Sequence, residues 1–177
     1  LIITLVLIFY IFFNNNTAKN LKIGNNTTSQ EIIESILNIN SYETEIEVKV
    51  ESNKNQNKYV IKQNYNGKDD NKQEVLEPSN IAGVKIIKEG KKLTLENTKL
   101  KLSSIFENYE YISDNNLDLC TFIEDYKKNS ESNYKEKNEE LIMKTSNKEL
   151  YIDRKTGKPT KMEIVDTNKK IAVYIVY

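Results

Sequence analysis

Between Tyr42 and Glu51 the chain alternates with a period of two. Tyr42, Thr44, Ile46, Val48 and Val50 stand at the even positions, with Glu43, Glu45, Glu47, Lys49 and Glu51 between them. Successive strand residues point to opposite faces, so this pattern fits a β-strand with one covered and one wet face. A strand of that kind belongs to a sheet that is covered on one side only, which favours antiparallel pairing.

The same period, less strictly kept, recurs along the chain. It predicts strands at Lys58–Tyr65, Lys72–Leu76, Val84–Lys88, Lys92–Glu96 and Lys99–Ser103, then at Glu139–Thr145, Leu150–Asp153, Thr160–Asp166 and Lys170–Tyr177. In Lys58–Tyr65 the covered side is carried by Tyr59, Ile61 and Tyr65. Asn66-Gly67, Glu89-Gly90 and Arg154–Pro159 supply turns, and Pro78 ends a strand because it has no amide to donate. Asn129–Asn138 is polar and reads as a loop. This loop and the turn at Arg154–Lys158 are where contacts with a partner are expected, since loops often carry them.

Two segments keep a helical period instead. Thr28-Ser29-Gln30-Glu31 has the form of a capping box, followed by Ile32, Ile33, Ile36, Leu37 and Ile39 on one face. Each such side chain gains roughly 1.5–3 kcal/mol on burial, so this helix must cover something apolar. A second helix is predicted from Asn115 to Lys128, capped by Ser113 or Asp114, with Leu119, Phe122, Ile123 and Tyr126 on one face. Cys120 lies beside that face and reads as a small buried thiol. With few strand–helix–strand alternations, the fold class is α+β: a mostly antiparallel sheet with helices laid on one face.

Leu1–Phe13 is unbroken apolar sequence, and Asn14–Thr27 is a polar linker. As a helix the apolar run reaches about 20 Å, against a hydrocarbon core of about 30 Å, which suits a signal anchor or signal peptide. The folded domain is expected from Thr28 to Tyr177, outside the cytoplasm and tethered to the membrane. The start at Leu1 reads either as an interior point of a longer protein or as an alternative start codon, and the apolar run Ile171–Tyr177 reads as a truncated C-terminus.

Chemistry is argued mostly by what is missing. The chain has no histidine and one cysteine, so a Ser-His or Cys-His pair cannot be assembled and the commonest zinc ligand is lacking. Its 5 glycines are scattered, with no phosphate-binding loop. Basic and acidic residues balance at 26 each, without a basic stripe, which argues against nucleic acid as a partner. No catalytic residue, metal or cofactor is expected. Tyrosine outnumbers phenylalanine 11 to 5, which suits half-covered strands and contact surfaces.

The C-terminal half carries a resemblance. Leu150-Tyr151-Ile152-Asp153-Arg154-Lys155-Thr156-Gly157-Lys158-Pro159-Thr160-Lys161-Met162, with Ile164-Val165-Asp166 and Val173–Tyr177, resembles the strand–turn–strand of outer-membrane lipoprotein carrier (LolA-like) domains. Glu74–Pro78, Gly83–Ile87 and Leu93–Asn97 resemble its earlier strands, and Asn116–Tyr126 is similar to a helix of the branch formed by the clostridial germination lipoprotein GerS and its relatives.

The resemblance implies a curved, incomplete β-barrel with helices on its concave side. Ile32, Ile36, Ile46, Val48, Ile61, Leu93, Leu95, Leu119 and Phe122 are the candidates for that concave face and core. It also implies a non-catalytic adaptor that binds an N-acetylmuramoyl-L-alanine amidase acting on spore cortex. The alternatives are a carrier with a lipid ligand in an apolar cavity, or an envelope sensor domain. One departure stands out: a GerS-type lipoprotein has a lipid-modified cysteine after its signal peptide, and none lies between Phe13 and Thr28. An open barrel also has exposed strand edges, which make a strand-swapped homodimer an expectation.

Overall fold

The computed structural model describes residues 27–51, 54–67, 70–108, 117–166 and 171–177. The apolar run Leu1–Phe13, most of the linker and the predicted caps Ser113 and Asp114 lie outside the described residues.

The capping box forms as its sequence dictates. Thr28 Oγ1 accepts from Glu31 N at 3.3 Å, and the Glu31 carboxylate accepts from Thr28 N at 2.7 Å. These contacts start helix α1, Ser29–Leu37, which buries Ile32, Ile33 and Ile36. Helix α2, Leu119–Lys128, buries Leu119, Cys120, Phe122 and Ile123. It starts later than the sequence suggests. Its N-cap is Asp118, whose side chain does not cap the helix because it is engaged with the sheet instead.

The described strands number eleven: β1 (Ser41–Glu51), β2 (Gln56–Asn66), β3 (Asp70–Glu77), β4 (Val84–Glu89), β5 (Lys92–Asn97), β6 (Leu102–Phe106), β7 (Asn133–Lys137), β8 (Glu140–Lys144), β9 (Lys148–Asp153), β10 (Pro159–Asp166) and β11 (Ile171–Val176). All their pairings are antiparallel, in one sheet of order β6-β5-β4-β3-β2-β1-β11-β10-β9-β8-β7. The first six strands meander from the centre to one edge. The chain then returns across the face through α2, and the last five run from the other edge back to β1.

The sheet is the curved half-barrel that the resemblance implies, with helices on its concave side, and it is not closed into a barrel: β6 and β7 end the order at opposite edges. Turn chemistry matches at Glu89-Gly90, where Gly90 takes φ +60° to close the β4–β5 hairpin. In the β9–β10 turn Asp153 Oδ1 accepts from Thr156 N at 2.7 Å and Oγ1 at 2.9 Å.

Two element assignments need correction. The polar segment Asn129–Asn138 contains a strand, β7, whose residues are all exposed. An outermost strand buries little, so its pairing with β8 leaves no apolar signature. Lys99–Ser103 is not a strand over its length. Thr98–Lys101 is a turn with Lys101 at φ +54°, and β6 begins only at Leu102.

The core is one cluster between the helices and the middle and far strands. Ile46 and Val48 of β1, Ile61 of β2, Leu141 and Met143 of β8, Leu150 and Ile152 of β9, Met162 and Ile164 of β10 and Ile175 of β11 meet the apolar faces of α1 and α2. Phe122 of α2 is fully enclosed there. Among the described residues, no helix is long and apolar enough to cross a membrane.

Candidate functional site: the concave face and its uncovered end

The candidates Ile32, Ile36, Ile46, Val48, Ile61, Leu119 and Phe122 converge in the core cluster. Leu93 is buried but lies outside that cluster, and Leu95 is 37% exposed and is no core residue. The alternation that selected Leu95 assigns its face correctly. Cross-strand pairs share a face, and the pairs Ile61↔Val75, Gln73↔Ile86 and Ile86↔Leu95 carry the concave side from β2 to β5. Leu95 is exposed because, among the described residues, neither helix lies over the β4–β6 end: α2 starts over β2 and β3, and Ser29 of α1 donates to Glu136 of β7.

That end forms an apolar patch. Ile86 is 39% exposed, Leu102 63% and Phe106 41%, and all three share the concave face with Leu95 through the pairs Ile86↔Leu95, Asn97↔Leu102 and Leu93↔Phe106. Ile105, on the opposite face of β6, is also exposed. Large apolar groups gathered at one edge mark an interaction surface more often than singly scattered ones do.

Between the patch and the core stands a polar cluster that the alternation of β2 did not reveal. Gln63 and Gln73 are directly opposite each other in the β2–β3 ladder, and both are buried on the concave face. Gln63 Nε2 donates to Asp118 Oδ1 at 3.0 Å, and Gln73 Nε2 donates to the same oxygen at 2.6 Å. Tyr42 Oη donates to Gln63 Oε1 at 3.4 Å, and the Tyr42 ring stacks on Tyr65 with centroids 5.4 Å apart. The contacts fasten the start of α2 to β2 and β3. The available signal was a glutamine at an inward position in each of two successive strands.

Electrostatics follow from the surroundings. Burial pushes the Asp118 carboxyl up to about 6, against a smaller opposing effect of Gln73 and Lys88. Burial likewise pushes the Cys120 thiol up to about 12, so it stays protonated and poorly nucleophilic at neutral pH. The Tyr42 and Tyr177 hydroxyls are held protonated, first by burial and then by the charge of Asp118. Tyr177 Oη is enclosed and finds no hydrogen-bond partner among the described residues.

The outer face is of another kind. Lys62 pairs with Glu43 at 2.5 Å, Lys58 with Glu47 at 2.8 Å, and Lys85 with Glu74 at 3.6 Å, all across neighbouring strands. Lys161 sits 4.0 Å from the centre of the Tyr151 ring. A shallow cleft of about 210 Å³ there is lined by Glu43, Lys62, Asn64, Lys72 and Glu74, a polar lining unsuited to acyl chains. No group of three or more Asp, Glu or Cys side chains that could hold a metal ion occurs among the described residues. The Arg154–Lys158 turn is tied down by Arg154 Nη1 donating to Glu136 at 2.8 Å and by Lys155 against Glu139 at 2.6 Å.

No protein-family model matches the sequence, and no curated protein matches it. Solved structures do. The chain is similar to the GerS lipoprotein of Clostridioides difficile, solved in complex with the CwlD amidase, at 26% identity over 87% of this chain and 95% of that one, with a TM-score of 0.48. It is similar to a LolA superfamily protein of Nitrosomonas europaea at 10% identity over 85% of this chain and 91% of that one, with a TM-score of 0.42. An uncharacterised conserved protein of Thermus thermophilus matches at 10% identity over 85% of this chain and 84% of that one, with a TM-score of 0.50, which shows a shared fold.

Proposed function

We infer that this chain is a non-catalytic adaptor of the cell envelope, which binds and supports a cell-wall amidase of the N-acetylmuramoyl-L-alanine type. The observation that carries this reading is the filled part of the concave face beneath the two helices. Where a carrier would hold its cargo, Ile32, Ile36, Leu119 and Phe122 pack against Ile46, Val48 and Ile175. A chain whose cup is occupied by its own helices acts through its outer surfaces and edges. The buried Cys120, held protonated, is no nucleophile, which agrees with hydrolysis belonging to a partner. The GerS lipoprotein, solved with the CwlD amidase, indicates which partner to try first. The apolar run Leu1–Phe13 would tether the domain outside the cytoplasm, near cortex peptidoglycan during spore formation.

The test mixes the full chain with the amidase of the same organism and follows both co-elution and hydrolysis of peptidoglycan. A stable complex with raised amidase activity is expected. Separate elution of the two proteins at tens of micromolar would reject the reading.

The uncovered patch of Ile86, Leu95, Leu102 and Phe106 favours a second reading, an acyl-chain carrier that uses the open end of the cup. Co-purified lipid, seen by native mass spectrometry and lost on Leu102→Glu, would support it. Lipid-free protein from native membranes would exclude it.

A further inference from the structure

Charge is distributed unevenly over the sheet. At the β7 margin cations meet acids, Arg154 against Glu136 and Lys155 against Glu139. From Val84 to Phe106, over β4, β5 and β6, the chain carries six lysines and two glutamates. That leaves 20 of the 26 basic and 24 of the 26 acidic residues to the rest of the chain. Both glutamates follow the parity of the outer face, Glu89 opposite Lys92 and Glu96 opposite Lys85 and Ser103. The concave side of β4–β6 and the turn between β5 and β6 therefore carry lysine without an acid.

Apolar exposure is greatest at the same turn. Leu100 is 65% exposed and Leu102 63%, more than any other large apolar side chain among the described residues. They alternate with cations in the run Lys99-Leu100-Lys101-Leu102. The turn is firmly built. Thr98 N and Oγ1 both donate to Gly83 O, at 3.0 and 3.1 Å, and Leu100 N donates to Asn97 Oδ1 at 3.0 Å. Lys99 Nζ donates to Ser79 O at 2.7 Å, and a Cβ on Gly83 would clash with Thr98 Oγ1, so the β3–β4 loop and the turn close tightly on each other. Lys101 is held in the left-handed region at φ +54°, which is unfavourable for a residue with a Cβ.

Two leucines are thus held out in water by a rigid support, where burial would be favourable. The lysines around them say what kind of surface fits. Protein interfaces are enriched in aromatic residues and arginine and depleted in lysine, and this turn has neither an aromatic residue nor an arginine. At an anionic membrane surface leucine enters the acyl boundary, while lysine lays its stem along the apolar layer and keeps its ammonium group among the headgroups.

We propose that the β5–β6 turn is a membrane contact, in which Leu100 and Leu102 enter an anionic lipid surface and Lys99 and Lys101 meet its headgroups. A tether at Leu1–Phe13 would keep that surface within reach. The contact requires no amidase, so it goes beyond the adaptor role. It also orients the domain. β5 and β9 run in opposite directions, so the β9–β10 turn stands at the other end of the sheet, away from the lipid.

The experiment places the full chain in vesicles of phosphatidylcholine with about a third phosphatidylglycerol, without amidase, and carries a fluorophore on Leu100→Cys. Cys120 is buried and stays unlabelled. Quenchers attached to the lipid tails should reach this label far better than a water-soluble quencher does. The same fluorophore on Lys155→Cys, in the β9–β10 turn, should remain open to the water-soluble one. Leu1–Phe13 is present in every sample, so charge reversal separates docking from tethering. Lys99→Glu with Lys101→Glu should lower the docked fraction at least about tenfold, since each lysine at an anionic surface contributes about a factor of five. A label at position 100 that stays in water on the anionic vesicles would overturn the proposal. So would equal entry into lipid by the charge-reversed variant, or a label that leaves water only when amidase is added, which would make the turn a protein-binding surface.

Discussion

Gln73 Nε2 donates to Asp118 Oδ1 at 2.6 Å, and through this contact the third strand holds the start of α2 over the sheet. The acceptor is a carboxylate in a partly buried setting that also faces Tyr42, Cys120 and Tyr177, with Lys88 as its nearby cation. Burial raises its pKa to about 6 from an ordinary 3.8. The folded chain therefore binds this proton more tightly than the unfolded chain does. The resulting stability is fully present below pH 3.8 and is lost as pH rises through about 6. Urea unfolding should show this group contributing at most about 3 kcal/mol of loss between pH 4 and pH 7.5. Asp118→Asn, which keeps an oxygen acceptor and cannot ionise, should flatten that dependence. An unchanged pH profile in the variant would refute the assignment.

Phe122 and Leu95 were both read from the sequence as concave-face residues, and they should respond very differently to truncation. Phe122 is fully enclosed, so Phe122→Ala should cost about 3–5 kcal/mol through lost burial and the cavity left behind. Leu95→Ala, at the open end, should cost under about 1 kcal/mol in the monomer. Chemical denaturation of the two variants side by side measures the difference.

Lys148 Nζ lies 2.5 Å from Asp125 Oδ2, with the lysine enclosed and the aspartate side chain 42% exposed. Removing the acid leaves an enclosed ammonium without its partner. Asp125→Ala should cost about 1–3 kcal/mol, less than for a fully buried pair because water reaches the vacated site. Lys148→Met replaces the cation with a side chain of similar length and should be neutral or stabilising. Thermal unfolding that ranks Asp125→Ala below Lys148→Met confirms the asymmetry.

The capping box of α1 is open to solvent, so its contribution is separable from packing. Thr28→Ala should cost about 1 kcal/mol, and Thr28→Ser should cost little. Hydrogen exchange at the first turn of α1 should speed up in the alanine variant.

How much of this was legible depends on burial. Strands whose faces differ, such as β1 with Ile46 and Val48 inside and Glu45 and Glu47 outside, announce themselves. Both helices were legible because Ile32, Ile36, Leu119 and Phe122 recur at helical spacing. β7 was not, since a strand at the margin has no inside and its sequence is set by solubility. The exposure of Leu95 was invisible for a different reason. Alternation assigns a face, but whether anything lies over that face depends on where the helices are fastened. The fastening rests on Gln63, Gln73 and Asp118, three polar residues far apart in sequence.

The charges on β7 have a consequence for how the molecule behaves in a crowd. A sheet with two receptive margins polymerises, because each addition exposes a fresh margin for the next. Lys135, Glu136 and Lys137 make one margin unreceptive to strand addition. A sheet with one margin guarded in this way has no route to open-ended fibres by strand addition.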